Sequence, residues 1–120
     1  MIDQPDGIII TISQGMLKEK GLRNWLRNFF EAMDNEDLSY WMRQGTKPKR
    51  DFLYVYLCIG GKVRYRANYV GAYGPGEMTF TTGETMFGKA WVVISGPLVR
   101  APWPFPMKGF RGFRYTEFLF

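Results

Sequence analysis

The stretch of sequence that most constrains the fold is residues 52–73, FLYVYLCIGGKVRYRANYVGAY. Two runs with alternating side chains flank Gly60 and Gly61, and a glycine pair between such runs is typical of a β-hairpin turn. Successive side chains of a strand point to opposite faces, so the length of the turn decides which of them share a face. The stretch therefore predicts a hairpin whose register follows from its apolar pattern.

A three-residue loop at 60–62 gives the register that separates apolar from polar side chains. It places Leu57 opposite Tyr65 and collects one core row: Leu53, Val55, Leu57 and Ile59. The other, polar face then carries Cys58 with Arg64, Tyr56 with Arg66, and Tyr54 with Asn68. A two-residue turn would mix aliphatic and charged side chains, and register is strongly specified where one face is buried. We therefore predict the three-residue loop.

Upstream of the hairpin, the sequence predicts one strand and two helices. The β-branched run at 8–12, IIITI, is typical of a buried strand. From Gly21 the apolar spacing becomes helical, with a stripe made of Leu22, Trp25, Leu26, Phe29, Phe30 and Met33. Asn35 is placed to cap a second, short helix that ends at Gly45 and carries Leu38, Trp41 and Met42.

Downstream, the sequence predicts further strands. Residues 71–89 are rich in glycine and threonine and predict a loop with one short strand near 78–82, whereas AWVVI at 90–94 predicts a buried strand. Four prolines between 97 and 106 enforce an extended passage, and a final strand is expected at 113–118. The order of elements predicts a single α+β domain over 1–120, with a mostly antiparallel, curled sheet and two helices near the N-terminus.

The charge of the chain is unevenly distributed. The 16 basic and 11 acidic side chains give a net charge of +5. Residues 1–60 contain eight of each, whereas residues 61–120 contain eight basic and three acidic side chains. A basic half of this kind fits an anionic partner such as a nucleic acid.

The chain has no histidine and a single cysteine, Cys58. The absence of histidine excludes Ser-His-Asp and Cys-His catalysis and most zinc sites. We therefore expect no catalytic residue, no metal site and no cofactor, with Cys58 as a structural thiol. The acidic start MIDQPDG is unlike a secretory signal, and no apolar run has the length of a membrane span. We expect a cytoplasmic protein without membrane contact.

The polar face of the hairpin has the chemistry of a platform for single-stranded nucleic acid. Tyrosine rings stack on bases, arginines hold phosphates and asparagine reads base edges. The candidate residues are Tyr54, Tyr56, Arg64, Arg66 and Asn68. An ordinary solvated sheet face is the alternative interpretation.

The later aromatic and basic residues extend this candidate surface. In GFRGFRYT, Phe113 and Tyr115 are expected to face inward, while Arg111 and Arg114 meet the ligand. Trp103 and Phe105 either contact a partner or cap an open end of the barrel.

The order of a strand, a helix pair, a basic turn, the hairpin Y-V-Y-L-C-I-G-G-K-V, then W-V-V-I and G-F-R-Y resembles the PUA-like superfamily, in particular its ASCH and EVE branches. The resemblance implies a small pseudo-barrel that binds RNA or a modified base in a cleft. Gly45, Thr46 and Lys47 match the opening of the ASCH motif, which adds Lys47 to the ligand-binding residues. Arg50 and Phe52 depart from that motif, so the amidohydrolase activity of some ASCH relatives is not implied.

Two functions are predicted from these features. The first is a module that binds nucleic acid, either RNA or a modified or flipped base, through a basic, tyrosine-bearing sheet face. The second is a small inhibitory or counter-defence protein of the kind phages encode, which docks on a host protein or nucleoprotein complex. Both functions use the same face, and they differ in the class of partner.

Overall fold

The computed structural model describes residues 5–12, 27, 31, 39–79, 83, 85–108 and 112–120. The strands of this part are β1 Gly7–Thr11, β2 Tyr40–Gln44, β3 Tyr54–Ile59, β4 Lys62–Tyr73, β5 Gly76–Thr79, β6 Thr85–Gly88, β7 Ala90–Pro106 and β8 Phe113–Thr116. Six of them form one curled sheet in the order β2-β7-β4-β3-β1-β8, and β5 pairs with β6 as a separate hairpin. Within the sheet, β1 and β3 are parallel, and the other paired strands are antiparallel.

The predicted α+β class, with two helices near the N-terminus, is wrong. Strands make up 67% of the described residues, and no helix is among the elements of that part. The second predicted helix is replaced by β2, in which Trp41 pairs with Val93 and Met42 with Val92 of β7. Aromatic residues such as Tyr40 and Trp41 suit a strand once a partner is present, so tertiary pairing overrides the local helical spacing. The first predicted helix lies outside the described residues, apart from Arg27 and Glu31.

The hairpin has the predicted register along its body, but its turn is shorter than predicted. Val55 pairs with Ala67 and Leu57 with Tyr65, as expected, whereas Ile59 pairs with Lys62. The turn therefore consists of Gly60 and Gly61, whose φ angles of 62° and 77° suit the mirror-image turns of two-residue hairpins. The register shifts between Leu57 and Cys58, and this β-bulge restores the core row that a three-residue loop would have given.

Both faces of β3 are buried, which the alternating pattern did not predict. Its aliphatic side lies in a core with Ile8, Ile10, Val92 and Ile94, here called the aliphatic core. Its other side, with Tyr56 and Cys58, belongs to a second cluster that includes Ile9 and Val63. Leu53, predicted as a core residue, lies just before β3 and is 65% exposed. The expectation of a solvated second face is wrong at its centre, where Tyr56 is fully buried.

The prolines of β7 lie where its pairing with β4 is irregular or ends. Three residues of β7, 96–98, lie between the pairs Asn68–Ser95 and Arg66–Val99, and Pro97 is one of them. Four residues, 101–104, lie between Tyr65–Arg100 and Val63–Phe105, and they include two more prolines. A proline has no N–H to donate, so in a sheet it is confined to bulges and edges. These insertions lengthen β7 to 17 residues and push residues 101–104 out of the ladder.

In the part of the chain that the structure describes, no helix has the length and apolar character needed to cross a membrane.

The burial of both faces of β3 predicts the stability of three single variants. Leu57→Ala should lower the free energy of unfolding by about 2–5 kcal/mol, and Tyr56→Ala by about 3–5 kcal/mol, because each leaves a cavity. Leu53→Ala, at an exposed position, should change it by less than about 0.5 kcal/mol. Denaturant unfolding measures all three. A Tyr56→Ala variant as stable as the parent would show that the second face is open.

Candidate functional site

The candidate site lies on the face of the sheet opposite the aliphatic core. Residues 117–120, here called the tail, follow β8 and cross this face of the sheet. We call this face the tail face. The strand registers place one row of residues across it: Arg114, Ile9, Tyr56, Arg66 and Val99. Tyr54 and Asn68 form the next pair along β3 and β4. The sheet thus brings together four predicted hairpin residues with Arg114.

Gly7 of β1 allows the tyrosines of β3 to pack closely on this face. A Cβ atom at Gly7 would lie 2.7 Å from the carbonyl oxygen of Tyr54 and 2.9 Å from the ring of Tyr56. Only a glycine leaves room for that ring against the backbone of β1. The position of Tyr56 therefore depends on the neighbouring strand as well as on its own hairpin.

The tail is held by main-chain groups that bond to side chains of the sheet. The N–H of Leu119 donates to the hydroxyl of Tyr56 at 3.0 Å, and the N–H of Phe118 donates to Oδ2 of Asp6 at 3.0 Å. The ring of Phe120 stacks on Phe105, with centroids 5.7 Å apart and planes 8° apart. It also meets the ring of Tyr56 edge-on at 5.3 Å. The tail therefore buries the centre of the predicted platform.

Arg66 lies at the centre of these aromatic contacts. Its Nη1 donates to the carbonyl oxygen of Phe120. Its guanidinium carbon lies 4.4 Å from the ring centroid of Tyr54, 5.8 Å from that of Phe118 and 5.9 Å from that of Phe120. Rings within about 6 Å attract such a cation through their electron-rich faces. Arg66 thus joins the sheet and the tail by both kinds of contact.

Arg64 and Trp103 lie where two irregular segments meet. Arg64 has no register partner in either β3 or β7, because both ladders shift beside it. Its Nε donates to the carbonyl oxygen of Ile59 at 3.1 Å. Opposite it, residues 101–104 leave the ladder and present Trp103, which is 61% exposed and lies 5.4 Å from the ring of Phe105. Trp103 is therefore presented at the surface beside the tail face.

Basic side chains flank the turn end of this face. The N–H of Met107 donates to the carbonyl oxygen of Gly61 at 2.8 Å, so the chain passes beside the hairpin turn after β7. Lys62 and Lys108 are both exposed there. Together with the half-buried Arg64 they form a cationic rim, which favours an anionic ligand.

Three predicted site residues lie elsewhere or have different surroundings. Lys47 is exposed in the loop before β3, and that loop contacts the other side of the sheet: the N–H groups of Lys49 and Arg50 donate to the hydroxyl of Tyr115, which packs against the aliphatic core. Asn68 donates to the carbonyl oxygen of Gly96 at 3.2 Å. Arg111 lies outside the described residues.

Sequence reasoning missed the residues that cover the site. Phe118, Leu119 and Phe120, which form most of the tail, were not among the candidates. Phe105 was predicted with Trp103 to contact a partner or to cap the barrel, and it packs against the buried cluster. Alternating aromatic residues in EFLF signal an extended segment with one apolar side. The partner of that side is a face formed by β3, β4 and β7, which only the tertiary structure reveals.

Two other features of the described residues favour no ligand. A shallow depression near the start of β3 is lined by Pro5, Asp6, Asp51, Phe52 and Leu53, and its two carboxylates disfavour an anion. Within the described ranges, no group of three or more cysteine, aspartate or glutamate side chains is placed to hold a metal ion.

No family model, curated protein or solved structure matches this chain. The resemblance to the PUA-like superfamily is therefore tested by none of these comparisons and stays a prediction.

The side chain of Cys58 is buried on the tail face, and its thiol is therefore predicted to be unreactive. Burial raises the pKa of this thiol above its ordinary value, and Thr11, the backbone of Gly61 and the charge of Arg64 lower it only in part. Little thiolate exists at pH 8, and the thiolate is the reactive form. Reaction with an aromatic disulfide reagent should therefore be slow for the folded chain and accelerate with denaturant in step with unfolding.

The raised pKa also fixes the sign of a pH effect on stability. Above about pH 8.5, the ordinary value for cysteine, the unfolded chain loses the thiol proton while the folded chain retains it. The free energy of unfolding should therefore decline as the pH rises through this range, and Cys58→Ala should remove that part of the decline. The pKa of Tyr69 is raised by burial and, to a smaller extent, by the charge of Asp51. Its ionisation should lower the free energy of unfolding further at higher pH, both in the parent and in Cys58→Ala. Rapid reaction of Cys58 in the folded chain with the disulfide reagent at pH 8 would contradict the prediction of an unreactive thiol.

Proposed function

We propose that the chain binds single-stranded nucleic acid, RNA in the first instance, or a single base flipped from a duplex, on the tail face and its rim. One observation carries the proposal: Arg64 and Arg66 lie on one surface with exposed aromatic rings beside them. Arginines hold phosphates by charge and by paired hydrogen bonds, and aromatic rings stack on bases without regard to sequence. This combination is typical of single-strand binding surfaces.

The exposed rings are the natural stacking groups in this arrangement. Trp103 is 61% exposed and Phe118 is 57% exposed, so each offers a ring surface to a base. Tyr56 is fully buried and takes a structural role while the tail is in place. The stacking groups therefore differ from those predicted from the hairpin, whereas the arginines are the predicted ones.

The cations near these rings supply the electrostatic part of binding. Lys62, Lys108 and Arg64 lie at the turn end, and Arg114 lies at the other end of the row through Tyr56. Charges spread in this way can follow a nucleic-acid backbone over several nucleotides. A nucleic-acid strand that crosses the tail face would meet basic side chains on both sides of the aromatic residues at its centre.

A second candidate function is docking on a protein. Trp103, Phe118 and Val99 are exposed apolar side chains on or beside the tail face. Aromatic residues in such positions are enriched in protein interfaces. This candidate corresponds to the predicted inhibitory protein that binds a host protein or nucleoprotein complex.

The proposal predicts that binding of an oligonucleotide depends on salt. The log of the binding constant should fall with the log of the salt concentration, with a slope of about −0.7 for each phosphate contact of a single strand. Three or four contacts from the cationic groups give a slope of about −2 to −3. Anisotropy of a labelled ten-nucleotide oligouridine, measured at several salt concentrations, provides the slope. Absence of binding at low salt would reject the nucleic-acid proposal and leave protein docking as the better candidate.

Removal of the exposed tryptophan should weaken binding without changing its salt dependence. Trp103→Ala removes a stacking group worth about 1–3 kcal/mol per base and no charge, so the slope should stay that of the parent. Phe87→Ala is the matched control, because Phe87 is a 57% exposed ring on the separate β5–β6 hairpin. The same oligonucleotide titration measures both. Equal losses in the two variants would show that the tail face is not the binding surface.

A further inference from the structure

We infer that the tail is an intramolecular competitor of the nucleic acid, so that the tail and a base–phosphate unit exclude each other on the tail face. The inference rests on the proposed function, and it assigns a means of regulation to the same site. With the tail in place, the chain would bind a nucleic-acid strand only through its exposed rings and the cationic rim. Displacement of the tail would add a second, deeper subsite.

The groups by which the tail contacts the sheet include an aromatic ring and a hydrogen-bond acceptor. The ring of Phe120 lies nearly parallel to the ring of Phe105, with 8° between their planes, which is the arrangement of a stacked base. The main-chain oxygen of Phe120 accepts a hydrogen bond from Nη1 of Arg66, a donor that also binds phosphate oxygens. The tail thus presents a ring and an acceptor in the combination that a nucleotide offers.

The tail lies outside the ladder of backbone hydrogen bonds that joins the strands of the sheet. The ladder between β1 and β8 ends at the pair Gly7–Thr116, just before the tail begins. The hydrogen bonds beyond it run to the side chains of Asp6, Tyr56 and Arg66, and the rings of Phe118 and Phe120 pack on aromatic rings of the tail face. Segments held in this way open at a lower free-energy cost than the strands of a sheet. The tail can therefore lift while β8 stays paired.

The closed tail covers two aromatic rings of the tail face. Tyr56 is fully buried by the closed tail, and Phe105 is half-buried beside it. Lifting the tail would expose both rings and would leave Arg66 without the carbonyl of Phe120. Exposed apolar rings are unfavourable in water, so the open state is a minor one until a base covers them. A ligand that binds only the open state shifts the population towards it.

Amide exchange of the tail distinguishes a competitor from a part of the binding surface. The amide of Leu119 is the reporter because it donates to the Tyr56 hydroxyl in the closed state. The probe is the ten-nucleotide oligouridine, added at saturation to the full chain at low salt. Competition predicts faster exchange of the Leu119 amide in the complex, with the amides of β3 unchanged. Slower exchange of the Leu119 amide, or no change, would overturn the inference, because the tail would then stay in place when the oligonucleotide binds.

Two full-chain variants provide the second measurement. Phe120→Ala removes the stacked ring, and Tyr56→Phe removes only the hydroxyl that holds Leu119 while keeping the buried ring. Both should bind the oligonucleotide more tightly than the parent, for Phe120→Ala by about 5- to 150-fold, the usual range of coupling between sites. The salt slope of Phe120→Ala should stay that of the parent, because the bound oligonucleotide displaces the tail from Arg66 in both complexes. Phe87→Ala again serves as the control and should leave affinity and slope unchanged.

The outcomes separate the two proposals. If the parent binds and neither variant binds more tightly, the tail is not a competitor and the proposed function stands. If no protein in the set binds the oligonucleotide at low salt, the proposed function and the inference both fail. Should Phe120→Ala fail to fold in a thermal melt, Tyr56→Phe decides alone, since it preserves the volume of the core.

Discussion

Strand β3 is buried on both faces, and most of the structure serves to cover it. The aliphatic face is covered by β1, β4 and β7 side chains and by Phe52 from the preceding loop. The other face carries Tyr56, a large ring with a hydroxyl that needs a hydrogen-bond partner when buried. Leu119 supplies that partner, and the neighbouring phenylalanines supply the apolar cover. Without the tail, the central strand would expose an aromatic face larger than its own hairpin can shield.

Much of the sheet could be predicted from the sequence because its signals are local. The β-branched run at 8–12 and the run at 90–94 lie in buried strands, and the body of the hairpin register is correct. The errors arose where a distant partner decides the outcome. Trp41 and Met42 have helical spacing, yet they pair with β7. Residues 71–73 resemble a loop by composition, yet β7 extends β4 through Tyr73.

The candidate site was harder to predict because irregular pairing builds it. The pattern of the hairpin correctly grouped Tyr54, Tyr56 and Arg66, since alternation is a property of the strand itself. Trp103 lies outward because it is one of four residues of β7, 101–104, that lie opposite Arg64 where the pairing of β4 with β7 shifts. Prolines indicated that the pairing would be disturbed, but they do not indicate where the displaced residues point. The tail contacts join residues more than 50 positions apart, beyond any local pattern.

The choice of arginine at position 66 follows from its two kinds of partner. A guanidinium is planar and less strongly hydrated than an ammonium, so it lies over rings and bonds at its edge at the same time. Tyr54 belongs to β3, which pairs with β4, whereas Phe118 and Phe120 belong to the tail. In the inferred open state, Tyr54 would hold Arg66 in place while the edge of its guanidinium exchanges the main-chain oxygen of Phe120 for a phosphate. In the proposed complex a phosphate would take that edge, and its attraction to Arg66 would weaken as salt screens the charge.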